Sequence, residues 1–434
     1  MKLIRPLKFL AVLLSVVGIS SLLSVAVTTK SFSESYPVVV CPPTLDGLGS
    51  QISFSSKKTP FQRLQNRTSE TAQVKVLRLP VNKDSLIVTS EEVTPVVWQS
   101  RSGSWAGGAL CMGPASSQWF VGGAADVTTR GRLIIVNSGL SDAVVDVESF
   151  TENGKQPLRT VNVSSKNYIV VPIDSLAPGD KTLTVHVVPR SGRINAFMID
   201  EQGKGLKALG GDLVNPAAVA SKTLVIPAIP NQSSRNTPAL PHTLRVLAPG
   251  DVDASITVEV LSGDGVFVPV GLNSQSVSAG IVTEFKLDPN ITSNVMAVRI
   301  SSTEPIVAAV KSTAVVQGKK DFVWSTAAPE LVRLTMAITG LDPLVSFVGE
   351  SINVSLDVTL TNGKVVQERV AGADIANWRV PTNARSFTIT KVGAGTFAGA
   401  LVSSINGYGY FPIAAGSLLT KIEVPDSNIR VLNP

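Results

Sequence analysis

Histidine occurs only twice in these 434 residues, cysteine only twice, and aromatic residues make up 5% of the chain. Each scarcity closes off a class of function. His186 and His242 stand alone, with no second ligand at the spacing a zinc site needs, so no metal and no cofactor is expected. A catalytic cysteine needs a neighbouring base, and neither histidine offers a recognisable arrangement. No H-E-x-x-H, G-x-S-x-G or EF-hand loop is present. With so few aromatics, no basic run carries the interleaved rings that stack bases, and nucleic acid is not an expected partner. The net charge of +6 does not change this, because Lys2, Arg5 and Lys8 belong to the first ten residues and without them about +3 remains.

Helical patterning is scarce as well. After residue 30 no apolar pattern of period 3.6 persists over three turns. Charged residues are only 16% of the chain, and Val, Ser and Thr are abundant, which suits half-buried pleated surfaces. The fold class expected is all-β. A chain of this length exceeds one ordinary core and divides into several domains.

One long apolar run is there. MKLIRPLKFLAVLLSVVGISSLLSVAVTTK opens with basic residues and continues uncharged from Phe9 to Val27, close to the length of a membrane span. Small residues at Ser24-Val25-Ala26 suit a signal peptidase; left uncleaved, the segment anchors the chain with its basic end in the cytoplasm. Both readings export residues 31–434. No later run approaches eighteen apolar residues, so the membrane is expected as a partner only through this segment.

In an oxidising compartment two cysteines read as a disulfide, Cys41 to Cys111. Closing a loop of about 70 residues stabilises a fold by roughly 4 kcal/mol in the chain-entropy model.

From Trp119 onward a unit returns about every hundred residues. RLIIVNSGLSDAVVDVESFTENG (132–154), TLRVLAPGDVDASITVEVLSGDG (243–265) and SINVSLDVTLTNG (351–363) each carry alternating strands closed by Asn153-Gly154, Gly263-Asp264-Gly265 and Asn362-Gly363, which are hairpin turns. Segments 182–200, 294–312 and 387–404 also match in alternation, and each reads as a hairpin. The expectation is a row of immunoglobulin- or fibronectin-like β-sandwiches following an N-terminal signal or anchor helix. The segments are 1–30, signal peptide or anchor; 36–118, an irregular β region stapled by the disulfide; sandwiches at 119–216, 221–330 and 331–420; and a tail, 421–434. The run CMGPASSQWFVGG (111–123) then reads as a joint, with Gly122-Gly123 ending its strand where absent Cβ atoms permit positive φ.

With an export signal, Cys41-Pro42, Cys111 and Trp119-Phe120-Val121-Gly122-Gly123 ahead of sandwich repeats, the chain resembles an actinobacterial secreted family of unknown function over most of residues 36–420. The resemblance implies an envelope-located protein with no established activity, and suggests a gene neighbour that encodes a large membrane glycosyltransferase. It carries over no catalytic residues.

GAGTFAG (393–399) echoes a nucleotide loop but has G-x-G-x-x-x-G spacing and joins two strands, so it offers no helix N-terminus to phosphate. His186 alternates with Val185 and Val187 and belongs to a sheet face. Trp98 and Trp105 lie with Trp119 within 22 residues; they pack in a core or stack on sugar rings. The function expected is an exported, non-enzymatic envelope module that binds or scaffolds, with a protein partner or an envelope glycan, in support of a glycan-assembly enzyme. The alternative is a carbohydrate-binding array using Trp98 and Trp105, which requires both rings exposed and coplanar.

Overall fold

The computed structural model describes residues 38–417 apart from 57, 67–68, 74–77, 82, 90–92 and 233–239. The expected signal or anchor at 1–30 and the tail at 421–434 lie outside the described residues. Among those described there is no α-helix, only a 3₁₀ turn at Ile173–Ser175, so the described part of the chain is all-β.

Eight strands precede the repeats: β1 (Val38–Cys41), β2 (Gly49–Ser53), β3 (Lys58–Arg63), β4 (Ser69–Gln73), β5 (Arg78–Pro80), β6 (Leu86–Thr89), β7 (Val93–Arg101) and β8 (Trp105–Leu110). One sheet runs β1-β6-β3-β4. Cys41 and Cys111 are disulfide-bonded, 70 residues apart in sequence, and both are fully buried. The bond lies beside reciprocal hydrogen bonds between Val40 and Met112, N–H to carbonyl at 2.8 and 3.0 Å. It therefore ties the first sheet to the end of β8.

The first repeat holds β9 (Gln118–Val121), β10 (Arg132–Asn137), β11 (Ala143–Thr151), β12 (Gly154–Lys155), β13 (Arg159–Val163), β14 (Asn167–Pro172), β15 (Thr184–Ser191), β16 (Ile194–Lys204) and β17 (Lys207–Val214). They make two sheets, β14-β10-β16-β17 and β12-β11-β15-β9, with β13 added to β11. Leu133 and Ile135 of one share a core with Val145, Val147 and Val185 of the other. Alternation explains the layering: along β11, Val145 and Val147 are buried while Asp146 and Glu148 reach the surface, as a period of two requires. Each such buried aliphatic side chain contributes about 1.5–3 kcal/mol.

The second repeat holds β18 (Ser221–Pro230), β19 (His242–Leu247), β20 (Ala254–Ser262), β21 (Gly265–Phe267), β22 (Gln275–Val277), β23 (Thr283–Leu287), β24 (Val295–Val316) and β25 (Lys319–Thr326). All eight belong to one continuous sheet system. The third holds β26 (Leu334–Ala337), β27 (Leu344–Leu360), β28 (Val365–Arg379), β29 (Ala384–Lys391), β30 (Phe397–Ser403) and β31 (Tyr408–Pro412). The expected turns form: Gly154, Gly265 and Gly363 take φ of +100°, +122° and +89°, in the region open to glycine.

Segments 182–200, 294–312 and 387–404 are not hairpins. β15 pairs with β11 and β9, whereas β16 pairs with β10 and β17, so the two strands lie in different sheets. All but the first of residues 294–312 fall in the 22-residue strand β24. Its first half pairs with β18 and β20 and its second with β19 and β25. β29 and β30 both pair with β27. Alternation marks strands and breaks, but the partner depends on where a twisted strand leaves one layer for the next.

The segment before the repeats shares a sheet with the third. β7 pairs in parallel with β26, Met336 opposite Thr94, within a ten-stranded sheet ordered β31-β30-β27-β29-β26-β7-β2-β5, with β8 on β7 and β28 on β27.

Candidate functional site

Three strand-connecting turns, remote in sequence, enclose a cleft of about 220 Å³. The β7–β8 turn supplies Ser102, Gly103 and Ser104, the β24–β25 turn Gln317 and Lys319, and the β30–β31 turn Ile405 and Asn406. Direct bonds hold them together. The Gly103 N–H donates to Asn406 Oδ1 at 3.1 Å, and Lys319 Nζ donates to the Gly103 carbonyl at 2.8 Å. Ser404 Oγ accepts the N–H groups of Asn406 and Gly407 at 3.2 and 3.3 Å, which sets the third turn.

Asp321, at 3% exposure, also lines this cleft. Burial pushes its carboxyl up to about 7, against the backbone N–H groups of Gly211, Phe322 and Tyr408, which favour the anion. Oδ1 accepts from Gly211 at 3.1 Å. Oδ2 sits where a side chain at Gly407 would be: a Cβ there would come within 2.3 Å of it and 2.7 Å of the Ala106 nitrogen. Glycine at 407 is therefore a requirement of close approach.

More acids lie in the fully buried layer behind. Asp200 and Asp212 are cross-strand partners on β16 and β17. Asp212 Oδ2 accepts the Trp324 backbone N–H at 2.7 Å, and Oδ1 accepts Leu213 N–H at 2.8 Å. Burial, with the neighbouring Asp321 and Asp200, raises the Asp212 carboxyl well above the ordinary carboxylate range. Asp200 Oδ2 accepts the Trp324 indole N–H at 2.9 Å. Arg245, also buried, lies 4.7 Å over the Trp324 ring and donates to the carbonyls of Gly123 and Leu183 at 2.6 and 2.8 Å. Its other nitrogens meet Glu284 Oε1 at 2.9 and 2.7 Å. Lys311 Nζ sits 4.0 Å over the Phe322 ring, and burial lowers its pKa. These groups join the first and second repeats through a charged seam satisfied mainly by backbone and aromatic faces.

The tryptophans singled out in the sequence do not line the cleft, and they do not form an exposed pair. Trp105 is fully buried, packed with Ile134, Phe197 and Leu213. Trp98 is half-buried against the core of the third repeat. Trp98 pairs with Gly108 and Arg101 with Trp105, so the two rings project from opposite faces of one sheet. A sugar platform built from both is overturned by this register.

His242 is a buried, satisfied histidine: Nδ1 meets Ser312 Oγ at 2.9 Å and Nε2 meets Asn231 Oδ1 at 3.2 Å, and burial lowers its pKa to about 4. His186 lies on the outer sheet face, as alternation required. Residues 392–396 join β29 to β30, so the 393–399 run ends inside β30, and the Gly395 N–H donates to Glu330 Oε1 at 2.6 Å. Among the described residues no three His, Cys, Asp or Glu side chains cluster to hold a metal ion. Sequence reasoning missed the aspartates. Their signal was an acid set in apolar strand sequence, as in FMID, GDLV and DFVW.

The model described as "Family of unknown function (DUF5719)" matches residues 89–371, and the chain belongs to that family. No curated protein matches it. Two solved structures are similar at low level. Thermotoga maritima 1070 is 17% identical over 25% of this chain and 93% of its own, with a TM-score of 0.21. A tetra-tandem repeat in the extending region of a large adhesion protein is 12% identical over 86% and 92%, with a TM-score of 0.11.

Proposed function

We propose that this member of the family is an exported binding or scaffolding module of the cell envelope, presenting the three-turn cleft to a protein partner or an envelope glycan. The cleft carries the reading. Turns from β7–β8, β24–β25 and β30–β31 converge there, and loops positioned by a rigid sheet framework are where binding surfaces concentrate. The Cys41–Cys111 disulfide supports an oxidising, extracytoplasmic setting. Immunoglobulin-type sandwiches at 119–216, 221–330 and 331–420 supply the framework, and support of a glycan-assembly enzyme is the service proposed. Binding at the cleft requires no catalytic step by this chain.

A photo-crosslinking side chain placed at Ile405, which is 71% exposed, tests the cleft in intact cells. The expected result is one discrete adduct at Ile405 and none at the fully exposed Val270. No adduct at Ile405, or the same smear at both positions, removes the reading. Protease added to intact spheroplasts degrades an exported chain; complete protection removes the export reading.

A further inference from the structure

The segment before β9 and the outer face of the first repeat bring together a serine, a histidine and a glutamate. Ser117 Oγ lies 2.8 Å from His186 Nε2, and His186 Nδ1 lies 2.8 Å from Glu148 Oε2. Three chain segments place them. Glu148 on β11 is the direct cross-strand partner of His186 on β15, and His186 in turn pairs with Trp119 on β9. The indole of Trp119 stacks on the imidazole, centroids 3.8 Å apart and planes within 4°, which fixes the ring plane. Lys155 Nζ holds the other Glu148 oxygen at 2.7 Å. Ser117 is exposed at the end of this relay.

The protonation states follow from the partners. Burial acts to raise the Glu148 carboxyl, but hydrogen bonds from Lys155 and His186 outweigh it and hold the pKa below the ordinary value. An ionised carboxylate only accepts, so His186 Nδ1 carries the proton. Burial lowers the His186 pKa, Lys155 adds to that, and Glu148 opposes both. At neutral pH the ring is therefore uncharged, and its Nε2 accepts the Ser117 hydroxyl. A nucleophile, a base and a group that orients the base are recognised by this geometry and not by chain order.

We propose that Ser117 is an activated nucleophile that takes the acyl group of carboxylic esters, with His186 as its general base and Glu148 as the residue that positions the base. Ser117 Oγ adds to the ester carbonyl carbon while its proton passes to His186 Nε2. The bond from that carbon to the alkoxy oxygen then breaks, and the departing oxygen takes the proton from His186. The products are an acyl ester on Ser117 and a free alcohol. Water then adds to the acyl carbon as His186 Nε2 takes its proton, the bond from that carbon to Ser117 Oγ breaks, and His186 returns the proton to Ser117 Oγ as the carboxylic acid leaves. This goes beyond the binding reading and departs from the expectation of a non-enzymatic chain; it shares no residue with the cleft.

The test uses the intact, oxidised full-length protein, with a fluorophosphonate as a serine probe and p-nitrophenyl acetate as the ester. The expected results are a covalent phosphonyl adduct on the peptide that contains Ser117 and a burst of p-nitrophenolate equal to the protein present. Labelling rises with pH through a midpoint below 6.5, the ordinary histidine value. Ser117→Ala abolishes labelling and leaves the melting curve unchanged, since the side chain is exposed. His186→Gln slows labelling by roughly 10²–10⁴-fold, the usual contribution of a general base. Glu148→Gln slows it by less and shifts the pH midpoint. An unlabelled Ser117, or equal labelling of His186→Gln and the unaltered chain, overturns the proposal. Either negative outcome leaves the crosslinking result at Ile405 to stand or fall by itself.

Discussion

The Trp324 indole N–H donates to Asp200 Oδ2 at 2.9 Å across 124 residues of sequence. This bond fastens the second repeat to the first, and Trp324 shares the first repeat's core with Val214 and Phe322.

Removing the donor while keeping an aromatic ring isolates that bond. Trp324→Phe leaves Asp200 Oδ2 without a partner, and an unsatisfied buried acceptor costs about 1–3 kcal/mol. Trp324→Ala adds lost packing and costs about 3–5 kcal/mol. Denaturant midpoints of the three proteins, at unchanged slope, check the ranking. A Trp324→Phe protein as stable as the parent would show that the bond contributes nothing.

The raised Asp321 carboxyl makes stability fall with pH. Its folded value of about 7 exceeds the 3.8 of an ordinary aspartate, so the folded state holds a proton that the unfolded chain has released. The contribution is complete below the unfolded value, declines as pH rises, and is gone once pH passes about 7. Other carboxylates act oppositely: Asp264, held at about 2 by hydrogen bonds from Thr292 and Ser293, contributes stability that is lost only in strong acid. Comparison with Asp321→Asn therefore isolates the one group. The unfolding free energy of the parent minus that of the variant should decrease from pH 5 to pH 8, by up to a few kcal/mol. A flat difference contradicts the assignment.

Alkylating reagent should label no cysteine in the native oxidised protein and two after reduction. Replacing Cys41 and Cys111 by serine should lower stability by about 2–5 kcal/mol. The loss should concentrate where Val39, Phe54, Phe61 and Val97 pack around the bond. Amide exchange near β1 and β8 should quicken while that of β24 stays unchanged. Uniform loosening would show the disulfide acting on the whole chain.

A fragment of residues 221–330 contains every strand of its sheet system and should melt cooperatively, since about 100 residues can bury their own core. Leu247, Val307 and Trp324, however, pack into the first repeat, so the fragment should be less stable and its Trp324 emission shifted to the red. A fragment of 119–330 should restore the blue emission. An unfolded 221–330 fragment would show that the repeats fold only together.

The all-β class, the turns at Gly154, Gly265 and Gly363, and the cysteine pair were legible in the sequence. Each depends on simple chemistry: a period of two, a residue that tolerates positive φ, an even number of thiols. Partnership was not legible. Alternation in 182–200 foretold two strands and a break, but β15 and β16 enter different sheets, and the same pattern in 294–312 became the single strand β24.

The sites follow the same division. His186 was assigned correctly to a sheet face, yet its neighbours Ser117 and Glu148 stand 69 and 38 residues away, at distances where no spacing rule operates. Trp98 and Trp105 lie close in sequence, and an odd offset across the β7–β8 register sends their rings to opposite faces. What the sequence by itself determined is where strands form, which of their faces are apolar, and where the chain turns, because those are set by residues within a few positions of one another. Which strands meet, which acids are buried beside Trp324, and which three turns enclose the cleft were decided only by the tertiary structure, because burial and close approach are produced by residues tens to hundreds of positions apart.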